Sequence, residues 1–184
     1  KWWLDEVLKS DQYQGEQSGI FELGKNPVIF LPYLMGERSP HNDPDVRGLF
    51  YGLSMRTTRA EMTQSILEGV AFGLRDSFEV AKKLSIDVHE ATICGGGAKS
   101  ELWRRIVANV MGIRIRTVQN DEGPAMGGAI LAMVGAGLYP NVVTAAERIV
   151  QPKDIVEPEP SVAAAYEERY HLFTKLYPAI KDVR

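Results

Sequence analysis

Apolar and polar positions along this chain switch between two periods, and the switches mark where its elements begin and end. Pro27-Val-Ile-Phe-Leu-Pro32 is a short apolar run closed by a proline at each end, which predicts a buried strand with sharp limits. Further on the spacing becomes three to four. Met62, Ile66, Val70 and Leu74 form a stripe flanked by Leu67, Ala71, Phe78, Ala81 and Leu84. That stripe predicts a long amphipathic helix to about Leu84 whose wide apolar face is deeply buried. Thr58-Arg-Ala-Glu61 has the capping-box pattern and places the helix start. Gly69 and Gly73 stand one turn apart within it. Each costs about 1 kcal/mol against alanine, which predicts a close helix-to-sheet contact.

Downstream, Ala91-Thr-Ile-Cys94 reads as a strand, Ser100 to Met111 as a helix, and Arg114-Ile-Arg-Thr-Val118 alternates as a strand does. Pro124 to Gly135 is a helix rich in small residues, with proline suited to its first turn. The order β-α-β-α places parallel strands beneath helices. Thr144-Ala-Ala-Glu147 is a second capping-box pattern opening a short helix, and Pro152 to Pro160 reads as a connector. A last helix from about Ser161 carries Tyr166, Tyr170, Phe173 and Tyr177 at spacings of three and four. Asp11 to Asn26 and Gly36 to Gly48 lack an apolar period and read as loops; the second is unusually long. The fold class is α/β, and 184 residues predict a single domain.

Composition narrows the function classes. The chain is 45% hydrophobic and 24% charged with net charge −3, and its Lys and Arg are scattered, which argues against a nucleic-acid partner. No apolar run approaches the ~20 residues that span a bilayer, so no membrane role is expected. The lone Cys94 has no partner for an internal disulfide, which points to a reducing, cytoplasmic setting. The first residues, Lys1-Trp2-Trp3, include no initiator Met, and a piece of a larger enzyme is the expectation.

Candidate chemistry gathers at three places. Gly95-Gly96-Gly97 lies between a predicted strand and a predicted helix, with Ser100 at the N-cap. Backbone without side chains admits a ligand closely, and a helix N-terminus offers free N–H groups. The stretch matches neither the P-loop nor the dinucleotide pattern, so a nucleotide loop and an ordinary tight turn both stay open. Asp121-Glu122-Gly123-Pro124-Ala-Met-Gly127-Gly128-Ala129 is a second Gly-rich turn, read as helix packing more than binding. Glu37, Arg38, His41, Asp43 and Asp45 share the long loop. One histidine with scattered carboxylates is a poor metal set, and a loop tied by Arg–carboxylate pairs is the expected arrangement; no metal site is assigned. Cys94 is expected to be a small buried hydrophobe, and His89 and His171 to be solvated.

These residues also carry a resemblance. Gly48-Leu-Phe-Tyr-Gly52-Leu53, then seven residues, then Glu61-Met-Thr-Gln-Ser65-Ile-Leu67-Glu68 resembles the second signature of the FGGY carbohydrate kinases at every defined position. Gly36-Glu-Arg-Ser-Pro-His-Asn-Asp-Pro44 with Arg47-Gly48 is similar to the xylulokinase branch, as are Gly95 to Trp103 and Gly123 to Ala129. The resemblance covers about Lys1 to Tyr177.

It implies an actin-like, ribonuclease-H-like α/β fold of mixed sheet with flanking helices, of which this chain is the C-terminal, nucleotide-side domain. The N-terminal sugar-binding domain, with the catalytic aspartate, is expected outside this chain, and so is a phosphate-gripping hairpin. By the same likeness Gly95, Gly96, Gly97 and Ser100 form part of an ATP site, and MgATP phosphorylates D-xylulose to D-xylulose 5-phosphate. No catalytic residue is expected here, and the isolated chain is expected to be inactive. A homodimer is open. Other readings are a kinase for ribulose, gluconate or glycerol, or a noncatalytic nucleotide-binding or oligomerisation module.

Overall fold

A computed structural model describes residues 1–20, 22–119 and 123–183. It contains two small sheets and five α-helices. Strands β1 (Ile29–Leu31) and β2 (Leu49–Tyr51) pair antiparallel. Strand β3 (Glu90–Thr92) runs parallel to β4 (Arg114–Val118), and β4 pairs antiparallel with β5 (Pro152–Val156), so the second sheet is mixed in the order β3-β4-β5. The helices are α1 (Arg59–Lys83), α2 (Glu101–Met111), α3 (Pro124–Gly135), α4 (Val142–Ile149) and α5 (Pro160–Ile180).

One core joins β1, α1, α2, β4 and α5. Ile29, Leu31, Phe72, Ile106, Val110, Ile115, Tyr166 and Phe173 are all buried in it. Thr58 closes the expected capping box on α1: its hydroxyl accepts from the Glu61 N–H, and the Glu61 carboxylate accepts from the Thr58 N–H at 2.7 Å. Gly69 gives the helix-to-sheet contact its reason. A methyl group there would lie 2.1 Å from the Phe30 carbonyl oxygen, so only glycine lets α1 lie this close to β1. At Gly73 the nearest atom, on Pro32, is 3.5 Å away, an ordinary contact.

The buried face of α1 is not the expected stripe. Val70 and Leu74 are exposed, Met62 and Ile66 half-buried, and the buried positions are Thr63, Gln64, Ser65, Glu68, Gly69, Ala71, Phe72, Arg75 and Asp76. Polar side chains can occupy that face because α5 supplies their partners. Arg169 contacts Glu68 at 2.6 Å, the Tyr166 hydroxyl donates to Glu68 at 2.8 Å, and the Tyr170 hydroxyl donates to Asp76 at 2.6 Å. Counting apolar residues cannot see a face buried through charge pairing.

Three further readings are corrected. The segment 152–156, expected as connector, is strand β5; it lies at the sheet edge, where a proline at the first position loses no ladder bond. The cap of α4 is Asn141, whose side chain accepts from the Thr144 N–H at 2.9 Å; Thr144 itself lies inside the helix. Residues Trp3–Leu8, given no element by the sequence pattern, form a short π-helical segment anchored by the Trp3 indole N–H donating to Thr63 Oγ1 at 3.0 Å.

Candidate functional site

The turn after β3 is built as the glycines require. Gly95 has φ +83°, closed to most side chains, and Gly96–Lys99 make a 3-10 turn that delivers the chain to Ser100. Ser100 Oγ accepts from the Trp103 N–H at 3.1 Å and caps α2 as expected. The same hydroxyl donates to Gln17 Oε1 at 2.7 Å, tying the turn to the 15–17 segment. Among the described residues, chain neighbours aside, no atom stands within 4 Å of where a Cβ would be at Gly95 or Gly96. Gly97 is covered by the Trp103 indole, 3.1 Å from that position.

Beside this turn lies a mostly apolar cavity of about 280 Å³. Gly97 and Trp103 form one wall, Trp3 and Leu4 a second, and Ile66, Leu67 and Val70 of α1 the third. Part of the apolar stripe of α1 therefore lines the cavity, while Ala71 lies in the core and Leu67 and Phe78 pack against it. Gln17 lines it too, and among the described residues its Nε2 is a buried donor without a partner. Glu16, also in the lining, is bonded by two of the three guanidinium nitrogens of Arg59, Nη2 and, at 2.9 Å, Nε; this holds its carboxyl below the ordinary range. Such a slot suits a flat, apolar ring that carries an acceptor for one buried N–H. Trp3, Gln17 and α1's apolar residues were not among the sequence-derived site residues. The signal was the exposed half of an otherwise regular helix stripe.

The second Gly-rich turn is described only from Gly123, since Asp121 and Glu122 lie outside the described residues. Pro124 is in the first turn of α3 as expected.

The long loop is shaped by carboxylates that accept from its own backbone N–H groups. Glu37 accepts from the N–H groups of Ser39 and His41, and Asp43 from those of Asp45 and Val46. Arg47 donates to the carbonyls of Pro44 and Val46. The loop docks on α5: the Tyr177 hydroxyl donates to Asp43 at 3.1 Å, and the His41 ring stacks on Tyr177 with centroids 3.9 Å apart. His41 also comes within 3.8 Å of Asp76, whose carboxyl burial pushes above the ordinary range. Cys94 is exposed, correcting the buried reading, because the chain leaves the sheet at Thr92. His89 and His171 are exposed, each near a carboxylate, Asp87 at 3.0 Å and Glu167 at 3.5 Å. Among the described residues no group of three or more His, Cys, Asp or Glu is placed to hold a metal, and no helix is long and apolar enough to cross a membrane.

Residues 6–136 match the family model of the FGGY family of carbohydrate kinases, C-terminal domain. The chain belongs to the FGGY family. This FGGY chain is 33% identical over 162 residues to the xylulose kinase of Staphylococcus epidermidis, a match covering 88% of the chain and 33% of that protein. The crystal structure of a xyloylose kinase from Brucella ovis superposes with a TM-score of 0.88 at 32% identity, over 99% of this chain and 38% of that one. A gluconate kinase from Lactobacillus acidophilus gives 0.86 at 27% identity, over 98% and 37%. These neighbours share the actin-like ATPase fold, and the mixed sheet with flanking helices here is part of it. The chain spans about a third of the length of the relatives it matches.

Proposed function

We propose that this chain is the nucleotide-side, C-terminal domain of a sugar kinase that transfers the γ-phosphoryl group of ATP to D-xylulose, giving D-xylulose 5-phosphate. The observation that carries the reading is the apolar cavity lined by Gly97 of the Gly-rich turn, which holds a buried donor, Gln17 Nε2, that has no partner among the described residues. The residues fit the adenosine part of ATP. Trp3, Ile66, Leu67 and Val70 would hold the base by apolar contact, and Gln17 Nε2 would donate to an acceptor on it. Gly95 to Gly97 would admit the ribose. Ser100 then acts at one remove, by capping α2 and fixing Gln17.

ATP supplies the phosphoryl group when bound; what this chain supplies is orientation and exclusion of water from the base. Phosphoryl transfer also needs a carboxylate to take the hydroxyl proton and cations to spread the developing charge. The described residues offer no set for Mg²⁺, so none is assigned to it, and the carboxylate and the sugar contacts belong to the remainder of a full-length enzyme. The 184 residues alone are then inactive.

Two measurements test this. In the full-length enzyme, kcat/KM for D-xylulose should exceed those for ribulose, gluconate and glycerol, with the isolated chain giving no turnover. The same fold in a gluconate kinase makes that sugar the rival to beat. Replacing Gly96 with leucine should raise the KM for ATP more than that for sugar; an unchanged ATP dependence would sink the assignment of this turn.

A further inference from the structure

Among the described residues three arginines are largely buried, and they are not neutralised alike. Arg75, 10% exposed at its side chain, contacts Glu167 at 2.6 Å and Glu79 at 3.2 Å and donates to the Val110 carbonyl. Arg169, 11% exposed, contacts Glu68 at 2.6 Å and donates to the Val28 carbonyl. Arg104, 15% exposed, donates to the Ala98 carbonyl at 2.7 Å, but its nearest carboxylate, on Asp154, stands 3.9 Å away. That distance is outside hydrogen-bond reach. Among the described residues Arg104 Nε, like Arg169 Nε, is also buried without a partner, so it is the distance to Asp154 that sets Arg104 apart. A buried cation is costly unless it is paired and hydrogen-bonded, so Arg104 is the one of the three left short of an anion.

It is short of one beside a cavity. A space of about 360 Å³, on the other side of Ala98 from Gly97 in the chain, is lined by Lys99, Arg104, Lys153, Asp154, Thr117 and Gln119 among others. Asp154 is shared, since the Oδ2 that comes nearest the arginine also accepts the Thr117 hydroxyl at 3.3 Å, and its side chain is 44% exposed. Three cations thus meet at one polar recess, on a chain whose net charge is −3. Lys99 and Lys153 are exposed and free to reorient, while the guanidinium is held in place by the Ala98 carbonyl. A fixed planar fork with two mobile ammonium groups is suited to a tetrahedral oxyanion.

We propose that Lys99, Arg104 and Lys153 form a binding site for a small phosphate-bearing anion, either free phosphate or a sugar phosphate monoester. It is distinct from the apolar cavity at Gly97 and Trp3 and does not depend on the chain's binding ATP. Because Arg104 is bonded to Ala98, inside the Gly96–Lys99 turn, an anion here would also stiffen that turn.

The test is a titration of inorganic phosphate into the ¹⁵N-labelled chain at constant ionic strength, read at the arginine Nε–Hε signals and the backbone amides. A saturable shift is expected at Arg104 with Thr117 and Asp154, absent with chloride. Lys153→Gln should weaken binding about tenfold, the worth of one charge-assisted contact, and Lys153→Arg should keep it. Lys99→Gln is the independent second variant; both lysines are exposed, so the fold is not at stake. A pentose 5-phosphate binding more tightly than phosphate would identify the monoester as ligand, and equal or weaker binding the free ion. Absence of saturable shifts at Arg104, shifts confined to Gly96, Gly97 and Trp103, or unchanged affinity in both lysine variants would each overturn the site.

Discussion

Two glycines of α1 look alike in the sequence and differ by one carbonyl oxygen in the fold. At Gly69 an added methyl meets the rigid backbone of Phe30 at 2.1 Å, and at Gly73 it meets only the edge of Pro32 at 3.5 Å. Gly69→Ala should therefore lower the unfolding free energy by about 2–3 kcal/mol, as overpacking does, despite the helix preference of alanine. Gly73→Ala should raise it by about 0.5–1 kcal/mol. Urea denaturation of both variants checks the pair, and equal effects would contradict the close contact. A second residue-scale expectation concerns Glu68, whose carboxyl burial holds above its ordinary range while Arg169, Gln64 and Tyr166 oppose the shift. Arg169→Met removes the closest of these partners and should cost about 3–5 kcal/mol at neutral pH. The sign with pH follows from a raised native value: the folded state holds the proton more tightly than the unfolded one. The deficit should shrink as pH falls toward the ordinary Glu range of about 4.3, and adding Glu68→Gln should recover much of it at neutral pH. A deficit that deepens on acidification would exclude a raised native value. The close contact was legible from the glycine pair, but not which of the two makes it, and Glu68 was not legible at all, because a glutamate's partner lies far along the chain.

At the scale of elements, patterns that are closed within a few residues could be read, and those completed elsewhere could not. Two capping-box patterns stand in the sequence; the one at Thr58 is real, while the one at Thr144 yields to Asn141, whose side chain accepts from the N–H of Thr144 itself. The strand β5 escaped because Pro152 suggests a connector, although at a sheet edge it is harmless. Ser100 was read correctly as a cap, since an N-cap needs only its own first turn. What could not be read is that its hydroxyl also holds Gln17, a residue 83 positions away. Ser100→Ala should therefore lower stability by about 1 kcal/mol, through loss of the bond to Trp103. In the full-length enzyme it should also raise the KM for ATP, because Gln17 loses the partner that orients its amide. Ser100→Asn, which keeps an accepting oxygen, should restore the stability; a KM unaffected by either change would detach Ser100 from the nucleotide reading.

For the whole molecule, the apolar stripe of α1 is split, with Ala71 in the core and Ile66 and Val70 lining the cavity. Val70 and Leu74 are exposed, and so are Leu131, Leu138 and Val143 around α3 and α4, where Ile130 is the one buried residue of α3. Helix α3 packs mainly against α4, and its other sides carry apolar residues toward solvent. Contiguous apolar surface of this kind is uncommon on a monomer in water. The chain spans about a third of its relatives, and the remainder of a full-length kinase is the natural cover for these faces. The isolated chain should then self-associate, with sedimentation velocity giving a weight-average mass that rises with concentration above 20.5 kDa. Leu131→Glu, at a residue 61% exposed, should return it toward the monomer with little loss of fold, since no core contact is removed. The same change in the full-length enzyme should lower its stability by burying a charge. A monodisperse 184-residue monomer at all concentrations would mean that these faces tolerate water and need no cover.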